Sequence, residues 1–156
     1  MIRIAVVGKI GSGKSFIANL FKLPTFNADR EVSQIYKKNK ICFKKLKKKF
    51  PNLLSKHPVK KKELVNIILK KDENLKKIIK IVHPLVRRKL NTFLKKNRKK
   101  EAVVLDIPLF LENKLNKKND IIIFIDSKKK DILNKLKERK EYNAILIKKF
   151  ENIQLS

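Results

Sequence analysis

Gly8-Lys9-Ile10-Gly11-Ser12-Gly13-Lys14-Ser15 follows the apolar run Ile2-Arg3-Ile4-Ala5-Val6-Val7 and precedes Phe16-Ile17-Ala18-Asn19-Leu20-Phe21. The octet is a complete G-x-x-x-x-G-K-[ST] phosphate loop, set between a strand pattern and a helical one as its mechanism requires. All 3 glycines of the chain lie inside it. Glycine permits backbone conformations closed to other residues and exposes N–H groups to an anion. A helix starting near Lys14 points its positive end at the same place. The Lys14 ammonium can reach β- and γ-phosphate oxygens, and the Ser15 hydroxyl can ligate Mg²⁺. Gly8, Ile10, Gly11, Ser12, Gly13, Lys14, Ser15 and Phe16 are therefore the expected nucleotide-binding residues.

Working outward, Ile2–Val7 reads as a buried parallel strand and Lys14–Lys22 as the first helix. Pro24–Asn27 is a short extended piece, and Asp29 opens a helix with Val32, Ile35 and Tyr36 on one face. From Ile41 to Asn97 the apolar spacing is mostly helical, punctuated by Pro51, Pro58 and Pro84, with a separate helix expected over Leu85–Leu94. Ala102–Leu105, closed by Asp106, and Ile121–Ile125 are further strands. Ser127 is expected to cap the helix carrying Ile132, Leu133 and Leu136, and Ala144–Ile153 forms the last helical stretch. Alternating strands and helices predict an α/β fold with a mostly parallel sheet.

The 156 residues suit one domain with a substantial core. No run approaches the roughly 18 apolar residues of a membrane span. The start reads as core strand rather than leader. A single cysteine, Cys42, excludes an internal disulfide framework, and the expectation is a cytoplasmic protein. The net charge of +28 is extreme, but its lysines are scattered along the chain amid abundant Ile, Asn and Phe. That pattern fits an A/T-rich coding background, and interleaved aromatics for stacking on single strands are sparse. No specific nucleic-acid partner is expected, although a diffuse positive field attracts anionic nucleotides.

Beyond the loop, four residues can carry chemistry. Asp29 lies at the carboxyl end of the short second strand, where it can accept a hydroxyl proton or equally serve as a helix N-cap. Asp106 ends an apolar strand, a place beside Mg²⁺ or simply a turn former. Arg87, after His83 and Pro84, can clamp an anion bidentately, and Arg139 can neutralise charge on a transferring phosphoryl group. Taken singly, both arginines also read as surface charges, and His83 as a structural residue. One cysteine with the separated His57 and His83 gives no zinc pattern.

Taken together, these segments resemble the dephospho-coenzyme A kinase family. The phosphate loop, Asn27-Ala28-Asp29, Ile81-Val82-His83-Pro84-Leu85-Val86-Arg87 and Asp106-Ile107-Pro108-Leu109-Phe110-Leu111-Glu112 occur in the family's order, the last two being the specific ones. The resemblance implies a P-loop NTPase-type parallel sheet in a three-layer α/β/α arrangement, with a helical substrate-binding insert and a small lid. It implies a single kinase domain whose nucleotide-binding core is 1–30 and 101–156, with the lid around 137–143 and the coenzyme A-binding insert over 31–100. The implied activity is transfer of the ATP γ-phosphate to the ribose 3′-hydroxyl of dephospho-coenzyme A, with Mg²⁺, by a monomer or weak oligomer away from membranes. Asp29, Lys14 and Arg139 would then be catalytic. Asp29, His83, Arg87 and Asp106 would line the acceptor site, and Ser15 would hold the metal. A kinase of another nucleoside or nucleotide, or a basic nucleic-acid-binding protein on the same scaffold, are the alternatives.

The chain departs from the family at several places. Asn27 replaces the usual first Asp, leaving Asp29 as base. Lys9 replaces a Gly, and Lys60-Lys61 stand near a usual Asp-Arg pair. The lid's paired arginines reduce to Arg139 in Lys135-Leu136-Lys137-Glu138-Arg139-Lys140. Family members also continue past Gln154-Leu155-Ser156 with a helix and a last strand. The expectation is a truncated product or a short relative with an unpaired sheet edge and an exposed core flank.

Overall fold

The computed structural model describes residues 1–138 and 143–154. Those residues form four strands and seven helices, in two compact units: one of 1–28 with 93–156, the other of 29–92.

The first unit is built on a parallel sheet. β1 (Ile2–Gly8) is apolar on both faces and lies between β3 (Ala102–Asp106) and β4 (Ile121–Ile125). β2 (Thr25–Asn27) pairs with the far side of β3, giving the order β2-β3-β1-β4. The chain leaves β1 toward one edge of the sheet and later returns to the other. In such sheets ligands bind beyond the carboxyl ends, where the direction of winding reverses. The register sets those ends side by side: Asn27 opposite Asp106, Asp106 opposite Val6, and Gly8 opposite Ile125.

Helix α1 (Lys14–Leu20) lies on this sheet through Ile17 and Ala18, joined by Phe21 at its C-cap, which pack with Ile4, Val6 and Val104. It is two residues shorter than the sequence predicts, because Lys22 turns into the left-handed region at φ 50° and ends the helical path.

Among the described residues β4 is one edge of the sheet, opposite β2, and Ile121, Ile122 and Phe124 remain exposed there. Polar contacts fasten it at both ends. Arg3, buried in β1, forms a 3.0 Å ion pair with Asp120 just before β4 and donates to the Leu115 carbonyl at 2.9 Å. After β4, the Ser127 hydroxyl donates to the carbonyl of Ser12 at 2.9 Å. Ser127 is therefore not the expected cap: helix α6 (Lys129–Lys137) has Lys128 in that place, with no side-chain cap bond. Helix α7 (Ala144–Glu151) is capped by Asn143, which accepts the Leu146 N–H.

The second unit is helical: α2 (Ala28–Lys38), α3 (Lys40–Lys49), α4 (Lys61–Lys70) and most of α5 (Asp72–Lys96). Asn39 caps α3 through the Cys42 N–H, and Glu63 receives the Lys60 N–H at the start of α4. Cys42, Leu46, Leu64, Ile67, Leu75, Ile78 and Val82 are buried. Burial pushes the Cys42 thiol up to about 11, with Lys45 pulling weakly the other way, so it is protonated near neutrality.

The separate helix expected after Pro84 does not exist. α5 runs unbroken for 25 residues with Pro84 inside it. Proline removes one intrahelical bond and crowds the preceding turn. Here the apolar stripe Leu75, Ile78, Val82 and Leu90 is buried on both sides of it, and that packing outweighs the local cost.

Ile67 is fully buried in α4. Ile67→Ala is expected to lower the unfolding free energy by about 2–5 kcal/mol, read as a shifted urea midpoint at unchanged slope.

Candidate nucleotide-phosphate site

The phosphate loop leaves β1 at Gly8 and enters α1 at Lys14. Gly8 has φ 146°, and a Cβ there would stand 2.6 Å from the Ile125 carbonyl oxygen, so the end of β4 closes directly on the loop. Gly11 has φ 83°, and a Cβ there would press on Leu136 and Ile132 at 3.0–3.1 Å. α6 therefore packs on the loop's outer side through two buried side chains. At Gly13 the surroundings are open, the nearest group to a Cβ being the Lys135 ammonium at 3.9 Å.

Inside the loop the Ser12 N–H closes a turn onto the Lys9 carbonyl at 3.1 Å, and the Ile17 N–H starts α1 on the Gly13 carbonyl at 3.1 Å. The Lys14 ammonium arches back over the loop, donating to the Gly8 and Lys9 carbonyls at 2.9 and 2.8 Å. The Ser12 hydroxyl is buried without a hydrogen-bond partner among the described residues. An orphaned buried donor is costly and marks a place that an acceptor can satisfy. The open surroundings of Gly13, the ammonium groups of Lys14 and Lys135, and this hydroxyl fit the phosphates of a nucleotide.

Asp106 gathers the next layer. It is buried, and its Oδ2 accepts two hydrogen bonds of 2.6 Å, one from the Ser15 hydroxyl and one from the Asn27 amide. Three segments thus converge on one carboxylate oxygen: the start of α1, the end of β2 and the end of β3. A hydroxyl in contact with a carboxylate, next to a phosphate cradle, suits Mg²⁺. That ion takes one or two protein oxygens and completes its shell with phosphate and water. Among the described residues there is no cluster of three or more His, Cys, Asp or Glu for a protein-only metal cage.

Of the expected residues, Gly8, Ile10, Gly11, Ser12, Gly13, Lys14, Ser15 and Asp106 thus meet within the first unit. Phe16 belongs to the same loop-to-helix junction, with its ring exposed. Asp29, His83 and Arg87 belong to the second unit. Asp29 is in the first turn of α2, two residues after Asn27. His83 and Arg87 lie one turn apart on one face of α5, His83 half-buried and Arg87 exposed. Arg139 and most of the expected lid fall outside the described residues. Sequence reasoning missed Lys135, one lysine among many, and the true contact of Ser127. It read Asn27 only as a departure from a pattern, whereas Asn27 is a donor to Asp106.

The parallel sheet and this loop place the chain among the phosphate-loop nucleotide-binding α/β proteins. Comparison with known proteins narrows the class. A family model described as dephospho-CoA kinase matches residues 2–156. A dephospho-CoA kinase of Wolbachia pipientis wMel is 36% identical over 141 residues, covering 87% of this chain and 72% of the relative. One from Zymomonas mobilis is 32% identical over 130 residues, covering 81% of this chain and 66% of the relative. Among solved structures, a Thermus thermophilus protein matches with a TM-score of 0.74 at 25% identity, covering 99% of this chain and 80% of that one. A dephospho-CoA kinase from Campylobacter jejuni matches at 0.59 and 25%, covering 97% and 79%. The chain belongs to the dephospho-CoA kinase family.

Gly8→Ala tests the closure of β4 on the loop. It is expected to lower stability by about 1–3 kcal/mol in thermal unfolding, because the clashing atom is backbone, and to weaken ADP binding in calorimetry. Unchanged values in both would show that the loop and β4 do not meet this closely.

Proposed function

We propose that this chain transfers the γ-phosphoryl group of ATP to the ribose 3′-hydroxyl of dephospho-coenzyme A, giving coenzyme A and ADP. The observation that carries the reading is the constellation of phosphate loop, Ser15, Asp106 and Asn27 in a chain of this family.

Phosphoryl transfer asks little covalent chemistry of a protein; positioning and charge neutralisation do most of the work. The loop N–H groups hold the nucleotide phosphates, and Lys14 follows the negative charge as it moves toward the β–γ bridge. Lys135, across the open side of Gly13, adds a second cation. Ser15 and Asp106 are the residues that would hold Mg²⁺, which when bound neutralises phosphate charge and orients the γ-group. Asn27 keeps the Asp106 carboxylate facing Ser15.

On the acceptor side, Asp29 is the base. The 3′-oxygen bonds to the γ-phosphorus in line, its proton passes to the Asp29 carboxylate, and the bond to the β–γ bridging oxygen breaks as ADP leaves. The place of Asp29 just past the carboxyl end of β2 supports this role. His83 and Arg87, sharing a face of α5, bind the acceptor; the Arg87 guanidinium suits a phosphate oxygen pair. Arg139 is the lid arginine. The reading includes a cytoplasmic setting, since the lone Cys42 is a buried thiol. Among the described residues no helix is long and apolar enough to cross a membrane.

A coupled assay with ATP, Mg²⁺ and dephospho-coenzyme A should show ADP formation and a 3′-phosphorylated product. Preference for adenylate or a deoxynucleoside as acceptor would overturn the assignment. Lys14→Ala is expected to lower kcat/KM by about 10²-fold or more.

Asp29→Asn separates chemistry from binding. It is expected to lower kcat by about 10²-fold or more while the affinity for ATP stays within about threefold. Turnover at the unmodified rate would reduce Asp29 to a helix-start residue.

A further inference from the structure

We infer that Ser127 is a positioning residue for the nucleotide phosphates: its hydroxyl fixes the orientation of the Ser12–Gly13 peptide in the phosphate loop. The inference rests on the reading above, that a nucleotide occupies this loop.

Two peptides of the loop are already held. The Ser12 N–H is tied to the Lys9 carbonyl, and the Gly13 carbonyl receives the first helical bond from Ile17. Neither bond holds the peptide between them, the one made of the Ser12 carbonyl and the Gly13 N–H. Inverting that peptide needs opposite rotations about only two bonds, ψ of Ser12 and φ of Gly13, and glycine accepts both signs of φ. The observed φ of Gly13 is 92°. Gly13 permits either orientation on its side of the peptide, and the two differ in what faces an anion. One offers an N–H; the other offers a carbonyl oxygen, which repels phosphate.

Ser127 selects between them. Its Oγ, in the turn after β4, donates to the Ser12 carbonyl at 2.9 Å. A trans peptide is planar, with C=O and N–H antiparallel. Holding the oxygen on the β4–α6 side therefore turns the Gly13 N–H the opposite way, into the loop. The same corner is approached independently by Ile125, whose carbonyl leaves no room for a Cβ on Gly8, and by Ile132 and Leu136, which would crowd a Cβ on Gly11. The hydroxyl is thus presented from a segment whose neighbours on both sides, β4 and α6, also approach the loop. Its own helix makes no claim on it, since α6 has no side-chain cap bond.

The test is calorimetric titration of the full chain with ADP·Mg, for the unmodified protein, Ser127→Ala and Ser127→Thr. Removing one net hydrogen bond from the binding-ready loop should weaken ADP about 3- to 10-fold in Ser127→Ala. Ser127→Thr, which keeps the hydroxyl, should restore affinity to within about twofold of the unmodified protein. In turnover, Ser127→Ala should raise KM for ATP and leave KM for dephospho-coenzyme A unchanged. Its melting temperature without nucleotide should fall by no more than about 5 °C, the cost of one hydrogen bond, and the protein should stay folded.

Equal ADP affinity in Ser127→Ala and the unmodified protein would overturn the inference and leave the nucleotide reading intact. So would a Ser127→Ala protein that is unfolded or loses both KM values together, or a Ser127→Thr protein as weak as Ser127→Ala. Absence of ADP binding to the unmodified chain would remove the nucleotide reading itself, and this inference with it.

Discussion

A single buried oxygen, Oδ2 of Asp106, organises the site. It accepts the Ser15 hydroxyl and the Asn27 amide, each at 2.6 Å. A carboxylate removed from water must be compensated by donors, or the fold bears a large desolvation cost. Both donors arrive by register. β3 sets Asp106 beside Val6 on one side and Asn27 on the other, and the loop following Val6 returns Ser15 to the same spot. A shift of one residue in either pairing would turn the side chain at that position to the opposite face of the sheet. The chemistry of the site is thus a consequence of how the parallel strands are aligned, and the alignment is in turn held by the site's own polar contacts.

The second organising fact is that β4 carries structural duty with little burial of its own. Ile121, Ile122 and Phe124 remain exposed at the sheet edge, so the hydrophobic contribution that fixes β1 and β3 is weaker here. Polar clasps take its place. Arg3 with Asp120 holds the start of the strand, and Ser127 with Ser12 holds the segment after it. The Arg3–Asp120 pair lies at the end of the sheet remote from the phosphate loop. It sets the register that brings Ile125 against Gly8, and a buried ion pair of this kind is better understood as fixing alignment than as adding stability.

Much of this was legible in the sequence because it depends on local chemistry. The glycine spacing of the loop, the apolar runs of β1, β3 and β4, and the carboxylate closing β3 each follow from residue types in order. What was not legible depends on contacts distant in the chain. Asn27 and Asp106 are far apart in sequence, and only strand order makes the one a donor to the other. Ser127 satisfies every local rule for an N-cap, yet its hydroxyl goes to a carbonyl 115 positions away. Pro84 satisfies every local rule for a helix boundary, yet the buried stripe on both sides carries α5 through it. In each case a tertiary partner outweighed a local preference worth about 1 kcal/mol for the cap and about 3 kcal/mol for the proline.

Glycine at three positions gives the backbone the shape that a phosphate needs, and the same freedom leaves that shape underdetermined. A flexible loop that must bind an anion loses affinity in proportion to the time it spends in other conformations. The surrounding elements remove those alternatives one at a time. The Ile125 carbonyl bars displacement at Gly8, Ile132 and Leu136 bar it at Gly11, and the first bond of α1 fixes the carbonyl of Gly13. The glycines are therefore tolerable only because an edge strand and the helix after it supply from outside the rigidity that the loop lacks.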